Sequence, residues 1–170
     1  MFIPIILGSD KTTVSVGTGD NEFWPLYGSI GNIHNNIRRA HGAGLALIAF
    51  LAIPKGMFYF DHFRTTIPYA ADNVHSSDPN FRTFRWQLFH TSLSKIFSSL
   101  HSVMEQPEIV QCPDRNYRHA IWGFGPYIGD YPEQVLLACI VQGWCAWYHM
   151  ILLVILITEF ILGVVPPQKI

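Results

Sequence analysis

The first third of the chain alternates short apolar runs with turn-forming residues, a pattern that predicts β-strands. Residues 2–9 are almost entirely apolar, and residues 12–16 alternate β-branched polar and apolar side chains, so each segment predicts a strand. A glycine-rich turn at 17–21 leads to a third predicted strand at 23–30. The continuous apolar run at 45–53 ends at a proline and predicts a strand that is buried on both faces.

The pattern then changes to helical spacing. Residues 34–41 predict a short helix, and the irregular stretch at 55–77 predicts a loop or insertion. A long helix is predicted from Asp78 and Pro79, which suit its cap and first turn, to Pro107. The apolar stripe of this helix, which we expect to pack on the core, comprises Phe81, Phe84, Leu88, Ile96, Leu100 and Val103, with Phe89, Leu93 and Phe97 beside it.

Two further strands and a helix complete the predicted domain. Residues 109–112 predict a short strand, residues 117–128 predict a longer one, and a helix is expected to begin at Pro132. The chain therefore has a run of antiparallel strands followed by helix, strand and helix. This order predicts an α/β fold with a mixed sheet.

The end of the chain differs in character from the rest. Residues 150–165 are apolar apart from Thr158 and Glu159. With the residues before it, the segment 147–165 approaches the roughly 20 apolar residues that a membrane helix needs. A glutamate at the bilayer centre costs about 2.5–3.5 kcal/mol. A membrane helix and a buried strand or helix therefore both remain open for this segment.

Composition limits the class of protein. The chain has 170 residues, of which 49% are hydrophobic, so it can form one domain with a core. Its 11 basic and 12 acidic residues give a net charge of −1, so no overall electrostatic attraction to nucleic acid is expected. The three cysteines predict no disulfide framework, which favours a reducing compartment.

Two aspartates close apolar strand-like runs that are far apart in the sequence. Asp10 follows the predicted strand at 2–9, and Asp130 follows the one at 117–128. Carboxylates on adjacent strands can hold the metal ions that cleave phosphodiesters. The alternative is that Asp10 is a turn residue and Asp130 caps the helix that starts at Tyr131. On residue types alone this alternative is the more common situation.

Several unusual sequence blocks resemble one known family. The most specific is Gly125-Pro126-Tyr127-Ile128-Gly129-Asp130-Tyr131-Pro132-Glu133-Gln134, and the others span 6–12, 31–41, 50–55, 84–90, 112–114 and 137–145. In this order they resemble the Plavaka transposases of mushroom-forming fungi, which are relatives of the CACTA-type DNA transposons. The resemblance covers about residues 2–145.

The resemblance implies an RNase H-like core in which an acidic triad cuts and joins DNA using Mg²⁺ or Mn²⁺. By position, Asp10 is similar to the first acid and Asp130 to the second, so both are expected to be catalytic metal ligands. A nuclear location would follow from this function. A membrane location would follow if the segment 147–165 spans a bilayer.

The chain departs from the family pattern near its end. No later helix convincingly carries the third acid, because Glu159 lies in an apolar run. Tyr148 stands where the family has the second cysteine of a pair that looks zinc-binding. We therefore expect a partial transposase core at 1–145 and a divergent apolar tail at 146–170. We expect the product to be a truncated, inactive remnant with weak or absent metal binding. The alternative is a non-enzymatic membrane protein anchored by 147–165.

Overall fold

The structure, a computed structural model, describes residues 1–15, 21–39, 44–54, 79–140 and 143. The strands in these residues are β1 (Phe2–Ser9), β2 (Thr12–Thr13), β3 (Glu22–Phe23), β4 (Pro25–Ile30), β5 (Ala46–Phe50), β6 (Glu108–Gln111) and β7 (Tyr117–Ile128). The helices are α1 (Asn35–Arg39), α2 (Pro79–Ile96), α3 (His101–Glu105) and α4 (Tyr131–Ala138).

Five of the strands form one mixed sheet. Their spatial order is β5-β4-β1-β7-β6. The central pair, β1 and β7, is parallel, whereas β1 with β4, β4 with β5 and β6 with β7 are antiparallel. A parallel neighbour for the first strand requires a long crossover, and the crossover here contains α2 and α3. The predicted α/β class with a mixed sheet is confirmed.

The first two predicted strands are in fact two parts of one arm of a long hairpin. Ser9 pairs with Leu26, and the same register continues to Thr12 opposite Phe23. Asp10 is therefore opposite Pro25, which has no amide hydrogen, and the ladder is interrupted at this point. The second strand predicted at 12–16 is confirmed at Thr12–Thr13 among the described residues, and the predicted strand at 23–30 divides at Trp24.

The strand predicted at 45–53 forms, but its predicted burial was wrong. Among the described strands, β5 lies at one edge of the five-stranded sheet and pairs with β4. Leu47 and Phe50 are 52% and 58% exposed. A continuous apolar run indicates that a segment tends to form a strand. Its burial depends on the elements that pack against it in the fold.

The core lies on one face of the sheet, beneath α2 and α4. Ile5, Leu7 and Leu26 on the strands meet Phe89 and Leu93 of α2 there. The fully buried positions of α2 are thus those beside the predicted stripe, and Phe81, Phe84 and Leu88 are only partly buried. The predicted long helix is interrupted, because a 3₁₀ turn at Ser98–Leu100 separates α2 from α3.

The remaining predictions either agree with the structure or concern residues that it does not describe. The strand predicted at 117–128 is confirmed as β7, and the helix predicted near Pro132 is confirmed as α4. Three predictions lie outside the described residues: the helix cap Asp78, the loop at 55–77 and the whole apolar tail at 146–170, including 147–165. Among the residues that are described, no helix is long and apolar enough to cross a membrane.

Candidate functional site

The central parallel strands bring the two predicted acids to the same edge of the sheet. The last paired residues of β1 and β7 are Gly8 and Ile128. Asp10 and Asp130 each follow their strand two residues beyond this pair, and both are exposed. Because the strands are parallel neighbours, their carboxyl ends meet at one edge. Two residues that are remote in the sequence therefore occupy equivalent positions on adjacent strands.

Asp130 also caps helix α4. Its backbone is extended, with φ −70° and ψ 170°, and its side-chain Oδ1 accepts a hydrogen bond from the Glu133 amide at 3.0 Å. The capping role considered as an alternative is thus present in the structure. A carboxylate has two oxygens and about four lone-pair positions, so a cap on one oxygen is compatible with a metal ligand on the other.

Asp10 occupies the interruption of the long hairpin, between two residues that are held by the same partner. The Ser9 hydroxyl donates to Glu133 Oε2 at 2.6 Å, and the Lys11 amide donates to Glu133 Oε1 at 3.2 Å. The Lys11 ammonium forms an ion pair with Glu22 at 3.0 Å across the hairpin. The backbone on both sides of Asp10 is therefore anchored although the sheet ladder is interrupted.

Glu133 is the buried charged residue at this edge, with 3% of its surface exposed. Besides its bonds to Ser9 and Lys11, it accepts a hydrogen bond from the Trp24 indole at 2.6 Å. Burial raises the pKa of Glu133, and the bonds from Ser9 and Trp24 oppose that shift. Three donors on one carboxylate satisfy the group that burial would otherwise penalise.

Tyr127 completes the polar cluster behind the strand ends. Its hydroxyl lies 2.5 Å from Ser9 Oγ. Because the single Ser9 proton is directed to Glu133, Tyr127 donates to Ser9. Burial raises the pKa of the Tyr127 phenol, so this hydroxyl stays protonated and remains a donor.

Sequence reasoning did not identify Glu133 as a site residue. The spacing of Asp130 and Glu133 is that of a capping box, in which the acid at the third helical position bonds back to the capping residue. In the structure this carboxylate instead accepts hydrogen bonds from Ser9, at the end of β1, and from the Lys11 amide just after it. The spacing was the available signal, but it predicts a different partner from the one that the tertiary structure supplies.

The two aspartates suit a hard divalent cation. Mg²⁺ prefers carboxylate oxygens, often one or two of them, and keeps several waters. Asp10 and Asp130 can supply such oxygens from adjacent strands. Within residues 1–15, 21–39, 44–54, 79–140 and 143, no group of three or more His, Cys, Asp or Glu side chains could hold a metal.

A second pair of titratable groups lies between α2 and α4. Cys139 Sγ is 3.4 Å from His90 Nε2, which also lies 3.2 Å from the Leu136 carbonyl. Burial lowers the pKa of His90 to about 4 and raises the pKa of Cys139 to about 11. Both groups are therefore neutral at pH 7, and the thiol is packed as a small hydrophobic group rather than a reactive one.

Comparison with known proteins identifies the family. The family model of the Plavaka transposase matches residues 1–151. The chain belongs to the Plavaka transposase family, and the family predicted from the sequence is confirmed. No curated protein and no solved structure matches the chain. Family membership supports a transposase-derived function, with DNA as the general binding partner.

Proposed function

We propose that Asp10 and Asp130 are two acids of a DDE/D-type metal site that acts on DNA. The observation that carries this proposal is the parallel pairing of β1 and β7 up to Gly8 and Ile128. This pairing leaves both aspartates at one edge, where two carboxylates can share a cation. Membership of a transposase family supplies the reaction class, which is cleavage and joining of DNA strands.

The strand arrangement supports an RNase H-like core. Three antiparallel strands, β5, β4 and β1, are followed by helices and then by β7 parallel to β1. This is the order expected for a core that places its first acid on the first strand and its second on the strand beside it. The antiparallel β6 extends the sheet on the far side of β7.

The residues of this edge have separate tasks in the proposed chemistry. A bound Mg²⁺ or Mn²⁺ would activate the attacking oxygen and stabilise the leaving oxygen of a phosphodiester. Asp10 and Asp130 would hold the cation. The surrounding hydrogen bonds, from Ser9 and Lys11 to Glu133 and from Glu133 to Asp130, hold the strand ends in place.

Among the residues that the structure describes, no third carboxylate joins Asp10 and Asp130 in a group that could hold a metal. A site of two carboxylates binds a divalent cation less tightly than a complete set, because affinity grows with ligand charge and number. We expect weak Mn²⁺ binding and little or no strand transfer from this chain by itself.

Mn²⁺ titration tests the site directly. Asp10→Asn and Asp130→Asn should each lower Mn²⁺ affinity by about tenfold or more, because each removes a charged oxygen ligand. Asn is as good a helix cap as Asp, so Asp130→Asn should keep α4 intact. Asp114→Asn is the matched control, since Asp114 is an exposed acid that pairs with Arg118 away from this edge. Equal Mn²⁺ affinity in all four proteins would disprove the proposed site.

A DNA-nicking assay tests the expected inactivity separately. The unaltered chain with Mn²⁺ should give no nicking above the level of the double variant Asp10→Ala, Asp130→Ala. Mn²⁺-dependent nicking that this double change abolishes would show that the chain is an active nuclease. That result would contradict the inactivity and support the assignment of the two acids.

A further inference from the structure

We infer that Glu133 is the positioning residue of this edge and sets the geometry of both Asp10 and Asp130. This inference rests on the proposed function, because it assigns a role relative to the two proposed ligands. Glu133 accepts from Ser9 and Lys11, the residues immediately before and after Asp10. Its own amide donates to Asp130 Oδ1 at 3.0 Å. One residue therefore connects the two strand ends.

The hydrogen bonds from Ser9 and Lys11 to Glu133 replace part of the backbone pairing that is interrupted in the hairpin. Ser9 pairs with Leu26 and Thr12 pairs with Phe23, whereas Asp10 and Lys11 lie between these two pairs. In this gap the Lys11 amide donates to Glu133 instead of to a strand neighbour. Without Glu133, the segment that carries Asp10 would lose the side chain that holds it against α4.

The surroundings of Glu133 argue for positioning rather than for metal binding. Oε1 accepts from Trp24 and Lys11, and Oε2 accepts from Ser9. The residue is 3% exposed, so its carboxylate faces the protein interior rather than the open edge where Asp10 lies. A carboxylate whose two oxygens both accept short internal bonds is poorly placed to serve as a third ligand.

Gly129 provides the space for this arrangement. A Cβ at Gly129 would lie 2.6 Å from Glu133 Oε2 and 3.3 Å from the Tyr127 ring. The carboxylate is held by other bonds, so it cannot move aside without breaking them. Gly129→Ala should therefore displace Glu133 without removing it, and it provides a second way of disturbing the same contacts.

The decisive comparison is between Glu133→Gln and Glu133→Ala. In Gln, the amide oxygen can accept from Trp24 and Lys11, and its NH₂ group can donate to Ser9 Oγ. The Ser9 proton then turns to Tyr127, whose own proton loses Ser9 as its acceptor. This variant keeps the connection and removes the charge. Ala removes the connection and leaves the Lys11 amide and the Trp24 indole without that acceptor. A positioning role therefore predicts that Gln resembles the unaltered protein and Ala does not.

Glu108→Ala is the matched control. Glu108 on β6 also accepts a hydrogen bond from a tryptophan indole, that of Trp122, at 2.5 Å. It pairs opposite Ala120, near the other end of β7 from Asp130. Its loss removes a comparable carboxylate–indole bond without touching the strand ends at Asp10 and Asp130.

Two measurements on folded protein test the inference. Loss of residues that orient metal ligands typically costs 10–100-fold in metal affinity, so Glu133→Ala and Gly129→Ala should lower Mn²⁺ affinity by about tenfold or more. Glu133→Gln and Glu108→Ala should stay within about threefold of the unaltered chain, well below that range. In metal-free protein, hydrogen exchange of the Lys11 amide should accelerate in Glu133→Ala and stay slow in Glu133→Gln and Glu108→Ala.

The outcomes separate this inference from the proposed function. If the unaltered chain does not bind Mn²⁺ through Asp10 and Asp130, the proposed function fails, and Lys11 exchange still reports whether Glu133 holds the strand end. If Glu133→Ala does not fold, Gly129→Ala with both measurements decides. Unchanged Mn²⁺ affinity and Lys11 exchange in the folded Ala variants would overturn the inference. Equal loss of Mn²⁺ affinity in Gln and Ala would also overturn it, because charge rather than position would then be required.

Discussion

At the scale of single residues, Arg38 organises the chain that follows β4. Its guanidinium donates to Ser29 Oγ at 3.0 Å, to Asn35 Oδ1 at 2.9 Å and to the carbonyls of Ile30 and Ile33 at 3.0 and 2.9 Å. Five N–H donors in a planar fork can reach these acceptors together, which a lysine ammonium cannot do. The Arg38 side chain thus ties together several carbonyls and side chains of the loop after β4.

Replacement of Arg38 should therefore destabilise the domain. We expect Arg38→Ala to lower the free energy of unfolding by about 2 kcal/mol, because bonds to a charged donor are lost at a partly buried position. Arg38→Lys should recover little of that loss, since its point charge does not match the planar arrangement. Urea denaturation measures both changes.

The neighbouring Arg39→Ala is the control for Arg38, because Arg39 is exposed on the same short helix. It should change the free energy of unfolding by no more than about 0.5 kcal/mol, the usual range for surface positions. A lysine at position 38 that restores full stability would show that charge alone, rather than the fork of donors, stabilises this loop.

The local sequence around Glu133 indicates a capping box rather than the contacts that this side chain makes. Asp10 and Asp130 could be proposed from their positions after apolar runs and from the family resemblance. Glu133 could not, because its partners Ser9, Lys11 and Trp24 are more than 100 positions away in the chain. A long-range partner of this kind depends on the crossover that places β7 and α4 beside β1.

At the scale of elements, α4 depends on its cap as well as on its apolar face. Asp130 bonds the Glu133 amide, Pro132 occupies the first turn, and Cys139 ends the helix in a left-handed conformation with φ 56°. The Cys139 amide bonds the Val135 carbonyl, which satisfies one of the terminal acceptors. Both ends of this eight-residue helix are therefore defined by local bonds.

Substitutions of Asp130 should separate capping from metal binding. Asp130→Ala should lower the free energy of unfolding by about 1 kcal/mol, whereas Asp130→Asn should leave it nearly unchanged, because Asn replaces Asp well as a cap. Both changes should weaken Mn²⁺ binding. Thermal unfolding paired with Mn²⁺ titration measures the two effects in the same samples. Equal stability of the Ala and Asn variants would mean that the observed cap contributes nothing.

Elements whose signals are local were predicted well. The strand at 117–128 and the start of α4 agree with the structure because alternation, proline and a capping residue act within a few positions. The strand at 45–53 was predicted but its burial was not, because its place at the sheet edge depends on β4 and not on its own residues. The strand predicted at 12–16 forms at Thr12–Thr13, but the sequence does not show that it continues the register of β1 beyond the interruption opposite Pro25.

At the scale of the whole molecule, His90 makes stability depend on pH. It is 5% exposed and packs against Trp86 at 4.8 Å between ring centroids and against Cys139. Burial lowers the pKa of His90 to about 4, whereas an unfolded histidine titrates near 6.5. Between these values the unfolded state binds more protons than the folded state, so stability falls as the pH is lowered through this range.

His90→Gln should reduce this dependence. The unaltered chain should lose up to about 3 kcal/mol of unfolding free energy between pH 6.5 and pH 4 through His90, and the Gln variant should lose that much less. Urea denaturation across this pH range measures the difference. Burial raises the pKa of Glu133, which changes stability in the opposite direction, but this contribution is common to both proteins and cancels.

His119→Gln is the control for His90, because His119 is exposed on β7. Its stability should follow the same pH curve as that of the unaltered chain. If His90→Gln also followed that curve, the folded protein would have to accept a charged His90, contrary to its burial between α2 and α4.

The sequence by itself determined the strand at 117–128, the start of α4, the α/β class and, through family resemblance, the two acids proposed as ligands. These follow from residues that act within a few positions of one another or stand in an unusual motif. Only the tertiary structure decided that β1 and β7 are parallel neighbours, that β5 is an edge strand and that Glu133 links the ends of β1 and α4. Strand pairing and burial depend on contacts between residues remote along the chain, and no local pattern specifies the partner.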